Sequence, residues 1–375
     1  MKTDITLKNI NKLAIPALIA GVAEPILSLT DTAIIGNVDY NAAESLAAVG
    51  IVGTFISMLI WVLGQTRSAI SSIVSQHVGA NKLDQIKNLP AQAIFIITSI
   101  SILIIATTLP FSSEIFKLYN ASDLILKYST QYYQIRVFGF PFTLFTIAIF
   151  GTFRGLQNTY YPMIIAIIGT IVNIALDFTF VYGIEDIISP MHIKGAAYAS
   201  VIAQIIMALC SAYYLLKKTD ISLRVTFPLN KEIKTFTVMI LNLFVRTLAL
   251  NATLYFATRF ATSYGTEYIA AYTIAINLWF LGAFIIDGYA SAGNILSGKL
   301  LGEKNYKKLV ELSNFLIKCG IGVGIVLTIL GLASYNFVGP IFTKDPKVLD
   351  QFYSVFWIVL AMQPFCAIAF IESML

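Results

Sequence analysis

Charge is what this chain has least of. Asp, Glu, Lys and Arg make up 12% of its 375 residues, while 57% are hydrophobic and the mean hydropathy is +0.78. A soluble domain of this size carries about twice that share of charge. The composition therefore excludes a water-soluble globular protein and makes the bilayer the solvent. Cysteine is nearly absent. Cys210, Cys319 and Cys366 lie far apart inside apolar segments, which excludes a disulfide framework and a metal motif and assigns them to packing. Histidine is scarcer still: His77 and His192 sit in or beside loops and offer no metal site. No Gly-rich phosphate loop, His/Cys cluster or nucleophile motif stands out, so the chain is not expected to be an enzyme or to carry a cofactor. A cleavable leader is not expected either. The opening MKTDITLKNINK runs into far too long an apolar stretch, with no small-residue cleavage site.

What the chain does have is long apolar runs. They predict ten membrane spans: 13–37, 46–75, 91–111, 128–153, 160–183, 193–216, 235–260, 267–298, 314–335 and 350–375. The second and eighth are long enough to run past the membrane surface. Fifteen Lys and Arg residues fall in one set of alternating loops and six in the other. This bias predicts a cytoplasmic N-terminus and a cytoplasmic 217–234 loop. The basic residues sit in short loops flanking spans, so they read as topology signals and not as a nucleic-acid surface.

The stretch KKTDISLRVTFPLNKEIK, 217–234, is the most polar in the chain, and the sequences on its two sides match at one constant offset in numbering. Leu46-Ala47-Ala48 meets Ile269-Ala270-Ala271, Gly79 meets Gly302, Leu89 meets Leu312, and Pro141-Phe142 meets Pro364-Phe365. We expect an all-α polytopic membrane protein of two repeats. Residues 1–216 form an N-terminal six-helix lobe, 217–234 a cytoplasmic linker, and 235–375 a C-terminal lobe with four of six helices. Six spans per repeat makes the repeats parallel, related by an axis along the membrane normal. Two full copies need about 446 residues, so the functional gene product is expected to carry two further spans.

Polar residues at membrane depth need a reason, because a carboxylate at a helix centre costs about 2.5–3.5 kcal/mol on insertion scales. The first span, Leu13 to Asn37, holds two acids. Glu24 and Asp31 lie seven residues apart, on one helix face, and Pro16 and Pro25 interrupt the same helix. The fifth span carries Asp177 with Asn173 one turn earlier. Asp31 and Asp177 fall in the outer halves of their spans and can meet at similar depth. Two carboxylates and an amide converging out of water make a proton or cation site, to which Ser200 on the sixth span can add an oxygen. The competing reading of Asp177 is a helix-end residue near the headgroups. Asp287 in the eighth span is either a functional acid or one half of an ion pair, with Arg67, Arg136 and Arg246 as candidate partners. The aromatics, 26 Phe, 19 Tyr and 3 Trp, are mostly packing and interface residues, and some can stack on aromatic cations.

The ordered set of Pro16 with Asp31 fifteen residues on, SQHVGANK, FRGLQNTYYPM at 153–163, NIALD at 173–177 and GAAYAS at 195–200 resembles the multidrug and toxic compound extrusion (MATE) family. Arg67, and Asp287 in IIDGYASAGNILSGKLLG, resemble its DinF-like branch. The resemblance covers the whole chain. It implies a V-shaped bundle of two six-helix lobes and a secondary antiporter of the plasma (inner) membrane. Such a protein, working as a monomer, exports organic cations or drugs in exchange for protons or sodium. It implies Asp31, Asn173 and Asp177 as the coupling-ion site, and bending of the first helix around Pro16 when that site is occupied. Glu24 and Ser200 are added as candidate ion or cavity ligands, Pro25 as a second bending point, and Asp287 with Arg67 as a coupling or ion pair. The chain departs from the family pattern by ending after ten spans and by reading IAFIESML at its end. A lipid-linked precursor flippase of the wider superfamily is the alternative, which cavity acids disfavour, and a non-transporting scaffold needs no paired carboxylates.

Overall fold

A computed structural model describes residues 5–36, 38, 41–119, 121, 123–342 and 346–373; inside the helices, the side chains of 24–26, 28, 29, 32, 42, 43, 262, 266, 269 and 270 are outside the description. The described residues are helical nearly throughout, as a chain in lipid must be when it cannot leave backbone groups unpaired. The N-terminal elements are α1 (Leu7–Gly36), α2 (Ala42–Leu63), α3 (Thr66–Gly79), α4 (Leu89–Thr108), α5 (Ser112–Leu118), α6 (Asp123–Arg136), α7 (Phe140–Gly155), α8 (Tyr160–Val181) and α9 (His192–Lys218). Then come α10 (Glu232–Tyr264), α11 (Thr266–Gly302), α12 (Tyr306–Ala333), α13 (Tyr335–Phe342) and α14 (Pro346–Glu372). Helix α8, at 22 residues, is about 33 Å long, matched to a hydrocarbon core of about 30 Å. Among the described residues nine segments are long and apolar enough to cross a membrane; α2 with α3, and α6 with α7, each make one of them. Helix α1 is 30 residues long and is not counted among these nine, because the description of its side chains is interrupted.

The offset between the sequence repeats reappears in where helices stop and start. Helices α3 and α11 end at Gly79 and Gly302; α5 and α13 begin at Ser112 and Tyr335; α6 and α14 begin at Asp123 and Pro346. Each pair is separated by the same interval as the sequence matches, and one of those matches, Gly79 with Gly302, falls on the helix ends themselves. Pro141 opens α7 at a position where its missing N–H costs nothing, whereas its counterpart Pro364 lies inside α14.

The helices group into two compact units. One is Val22–Phe244, the other Met1–Gly21 with Val245–Leu375. The first helix of each repeat is thus divided, after Gly21 and after Phe244, and these two points are again related by the repeat offset. In the Val22–Phe244 unit the core runs from Ile34 and Ile35 through Phe55, Phe116 and Tyr133 to Phe236. Its centre is an edge-to-face aromatic nest in which Phe116 and Tyr133 lie 5.4 Å apart and the Tyr133 hydroxyl meets Thr108 Oγ1 at 2.6 Å. The stretch after α9 is not helical but is tied to this unit. Buried Gln92 of α4 donates to the Thr226 carbonyl at 2.6 Å and accepts from the Asn230 N–H at 2.8 Å. In the other unit Ile10, Leu13 and Ala14 of α1 pack with Ile286, Ala290, Leu312 and Ala367. Gly288 makes that approach possible: a Cβ there would lie 2.9 Å from the Ala14 carbonyl oxygen.

Candidate functional site

The site begins with the seam between α8 and α9, which pack along much of their length. In lipid two helices gain little from hiding apolar area, so close approach has to come from small side chains. Helix α9 supplies them as Gly195, Ala196, Ala197, Ala199, Ser200 and Ala203, all buried. A Cβ on Gly195 would lie 2.5 Å from the Phe180 carbonyl oxygen, and one on Gly169 of α8 would collide with Met207. At the end of α8, the Tyr182 hydroxyl donates to the Ile34 carbonyl of α1 at 3.1 Å. Three helices are thereby held at fixed spacing, and each brings a polar side chain to the same place.

Asp31 of α1, Asn173 and Asp177 of α8 and Ser200 of α9 are all buried, with Asp177 entirely out of contact with the surface. Ser200 Oγ donates to Asp31 Oδ2 at 3.1 Å, and the Asn173 amide lies 3.4 Å from Ser200 Oγ. The Asn173 amide is best satisfied with its nitrogen toward the acids, where it donates to Asp31 Oδ1 at 3.2 Å and to Asp177 Oδ2 at 3.1 Å. One amide nitrogen thus reaches both carboxylates. Asp177 Oδ1 is buried with no hydrogen-bond partner among the described residues.

A neighbouring set escaped the sequence reading. On α6, Arg136 Nη1 donates to Gln204 Oε1 of α9 at 2.9 Å. Tyr132, one turn before it, is buried. Gln204 lies one turn from Ser200, so the spacing was there to be seen. A cation at membrane depth was also a signal, but the sequence offered Arg136 only as a partner for Asp287. Arg246, the second candidate partner, is exposed and donates to the Ser373 carbonyl at 3.3 Å. Arg67 on α3 packs its backbone against Gly151 of α7, and its Nε is buried without a partner among the described residues. Asp287 is half-buried on α11, in the other compact unit. The side chains of Glu24 and Pro25 lie outside the described residues; Pro16 is half-buried within α1.

Chemically, the constellation offers carboxylate, amide and hydroxyl oxygens with no imidazole or thiolate. Among the described residues there is no group of three or more His, Cys, Asp or Glu that could hold a metal ion. Such hard oxygens suit a proton or a small monovalent cation, and the Asn173 amide can turn to either need: nitrogen toward carboxylates, or oxygen toward a cation. The MatE family model matches residues 16–179 and 240–374, two stretches whose starts nearly reproduce the repeat offset. The chain belongs to the MatE family. It is a membrane transporter and not an enzyme. Among MatE relatives, the chain is 25% identical over 418 residues to Protein DETOXIFICATION 42 of Arabidopsis thaliana, aligning 96% of itself with 79% of that protein. It is 26% identical over 314 residues to DNA damage-inducible protein F of Escherichia coli, covering 80% of itself and 64% of that protein. The probable multidrug resistance protein NorM of Mannheimia succiniciproducens is 24% identical, with 92% of this chain and 75% of that one aligned. A crystal structure of MATE in the bent conformation shares the fold at a TM-score of 0.87 and 23% identity, covering 98% of this chain and 82% of that chain.

Proposed function

We propose that this MatE transporter exports small organic cations across the plasma (inner) membrane in exchange for protons or sodium ions. It acts as a monomer with its N-terminus and the 217–234 loop in the cytoplasm. The observation that carries the reading is the buried Asp31–Asn173–Asp177 constellation with Ser200 beside it. Two carboxylates this close cannot both keep an unshielded charge out of water, so the pair holds a proton or a cation, or repels. The name of the NorM relative supports drugs as cargo, and the acids favour cargo of positive charge. Occupancy by the coupling ion relieves the repulsion between α1 and α8. Helix α1, which lacks one backbone hydrogen-bond donor at Pro16, answers by bending, and cargo is released. Ion and cargo then disfavour each other, and that coupling is reciprocal. Glu24, on the same helix, adds to the cation preference.

The test is transport of a fluorescent organic cation by protein in liposomes under an imposed proton or sodium gradient. Asp31→Asn is expected to abolish gradient-driven efflux while the protein still binds dye, with binding that no longer depends on pH or sodium. Transport by Asp31→Asn at the normal rate would make the aspartate structural and end this reading.

A further inference from the structure

We infer that α14 is a second bending helix, hinged at Pro364, and that Thr328 of α12 is the positioning residue that holds the hinge together. This rests on the reading above in which α1 bends, and it names the element that moves with α1.

Proline chemistry gives the first reason. Pro364 lies inside α14 and has no N–H, so the Leu360 carbonyl one turn back loses its helical partner. Another helix supplies a replacement. Thr328 Oγ1 donates to the Leu360 carbonyl at 2.7 Å, nearer than the carbonyl of Gly324 on its own helix at 3.0 Å. Gly324 lets α12 come that close: a Cβ there would lie 2.8 Å from Pro364 N. The first repeat meets the matching proline differently. Pro141 follows a 3-10 turn, Val137–Gly139, in which the Phe140 N–H takes the Val137 carbonyl, and the chain breaks into α6 and α7. Ile105, which stands at the repeat offset from Thr328, has no hydroxyl to give. Helix α14 runs on through its proline with a side chain of α12 in place of the missing backbone donor.

The packing of α14 changes partners at the same level. Before the proline, Phe352, Phe356 and Leu360 share a hydrophobic cluster with Ala271, Ile274 and Ala275 of α11. After it, Ala367 and Ile371 belong to a different cluster, which contains Ile10, Leu13 and Ala14 of α1. Gln363 sits at the boundary and is buried. Its Nε2 donates to the Val359 carbonyl at 3.3 Å, while its Oε1 has no partner among the described residues. A buried acceptor left empty in one arrangement of the helix gives a reason for a second arrangement. On α11 the boundary falls at Gly282, where a Cβ would run into Gln363 Oε1. A helix weakened between two packed bodies bends there at least cost. Ile10, Leu13 and Ala14 stand just before Pro16. When α1 bends at Pro16, the cluster that holds its start carries the end of α14 along, and Pro364 takes up the difference.

The experiment combines gradient-driven transport of a fluorescent organic cation in liposomes with backbone hydrogen exchange, read by mass spectrometry with and without saturating dye. In the wild type, exchange over residues 360–370 is expected to change at least about threefold on dye binding, while the part of α14 before Leu360 stays level. Pro364→Ala gives the Leu360 carbonyl a backbone donor. It is expected to bind dye within about twofold of wild type, to lose the dye-dependent exchange, and to transport about tenfold more slowly, the ratio set by one net hydrogen bond. Thr328→Val keeps the shape and removes the hydroxyl, so exchange over 360–370 should rise without dye, and Thr328→Ser should restore both exchange and rate. Wild-type exchange that ignores dye, or Pro364→Ala transport within about twofold of wild type, overturns the hinge. Wild-type exchange in Thr328→Val overturns the role of Thr328. If Pro364→Ala fails to fold, the wild-type exchange and the two Thr328 variants decide. Asp31→Asn in the same transport assay keeps the two readings apart. Lost efflux in Asp31→Asn beside dye-independent exchange in the wild type leaves the ion site standing and removes the hinge. Normal efflux in Asp31→Asn removes the ion site, and Pro364→Ala then decides the hinge by itself.

Discussion

At the scale of single residues, the site depends on side chains too small to announce themselves. Ser200 is one hydroxyl, yet it donates to a carboxylate that has no water to turn to. Deleting a donor to a buried charged acceptor costs about 1–3 kcal/mol. Ser200→Ala is therefore expected to lower the midpoint of thermal unfolding in detergent, and Ser200→Thr to keep it, because the hydroxyl survives. Asn173 is more demanding, since its amide touches both acids. Asn173→Leu, close in volume, should leave expression intact and reduce gradient-driven efflux at least about tenfold, the loss expected when one hydrogen-bonded partner of a buried charge is removed. Efflux by Asn173→Leu within twofold of wild type would show that the amide is packing alone.

Elements set where those residues can stand. The α8–α9 seam is closed by glycine, and the two ends of the argument can be separated experimentally. Gly195→Leu puts a side chain into the Phe180 carbonyl and should cost several kcal/mol through overpacking, seen as loss of the monodisperse peak and of dye binding together. Gly322→Ala on α12 meets nothing within 4 Å and should gain slightly or stay level, because alanine restricts the unfolded chain and favours helix. Equal behaviour of the two variants would mean that the seam does not position Asn173 and Asp177. The stretch after α9 is a further case. Gln92→Leu leaves the Thr226 carbonyl and the Asn230 N–H without their partner and should expose residues 219–230 to limited proteolysis at protease levels that spare the wild type.

For the molecule as a whole, orientation in the membrane is the property on which the direction of transport rests. With Cys210, Cys319 and Cys366 replaced, Asp220→Cys is expected to react with an impermeant maleimide in inverted vesicles and not in intact cells, since the charge bias places the 217–234 loop in the cytoplasm. Labelling from outside intact cells would reverse the assignment and, with it, the direction of export. The division of each repeat's first helix between two compact units matters at this scale too. A helix shared in that way is built into both cores, Ile10 and Leu13 in one and Ile34 and Ile35 in the other, so a change at Asp31 acts on an element that both units contain.

The sequence by itself determined the solvent, the element type and the repeat. A chain with 12% charge and long apolar runs must pair its backbone within helices, and a constant offset between matching stretches fixes equivalent helix ends without any coordinates. It also singled out Asp31, Asn173 and Asp177, because a carboxylate in an apolar run is conspicuous and a one-turn spacing fixes a shared face. Tertiary structure alone decided which residues meet. That Arg136 meets Gln204, one turn along α9 from the Ser200 that bonds Asp31, follows from the packing of α6 against α9, to which no local pattern points. That the polar stretch after α9 is fastened to α4 by Gln92 follows from hydrogen bonds between groups far apart along the chain. Local preference is written along the chain over a few turns, whereas partners for buried polar groups are chosen by the whole fold, which must satisfy each of them out of reach of water.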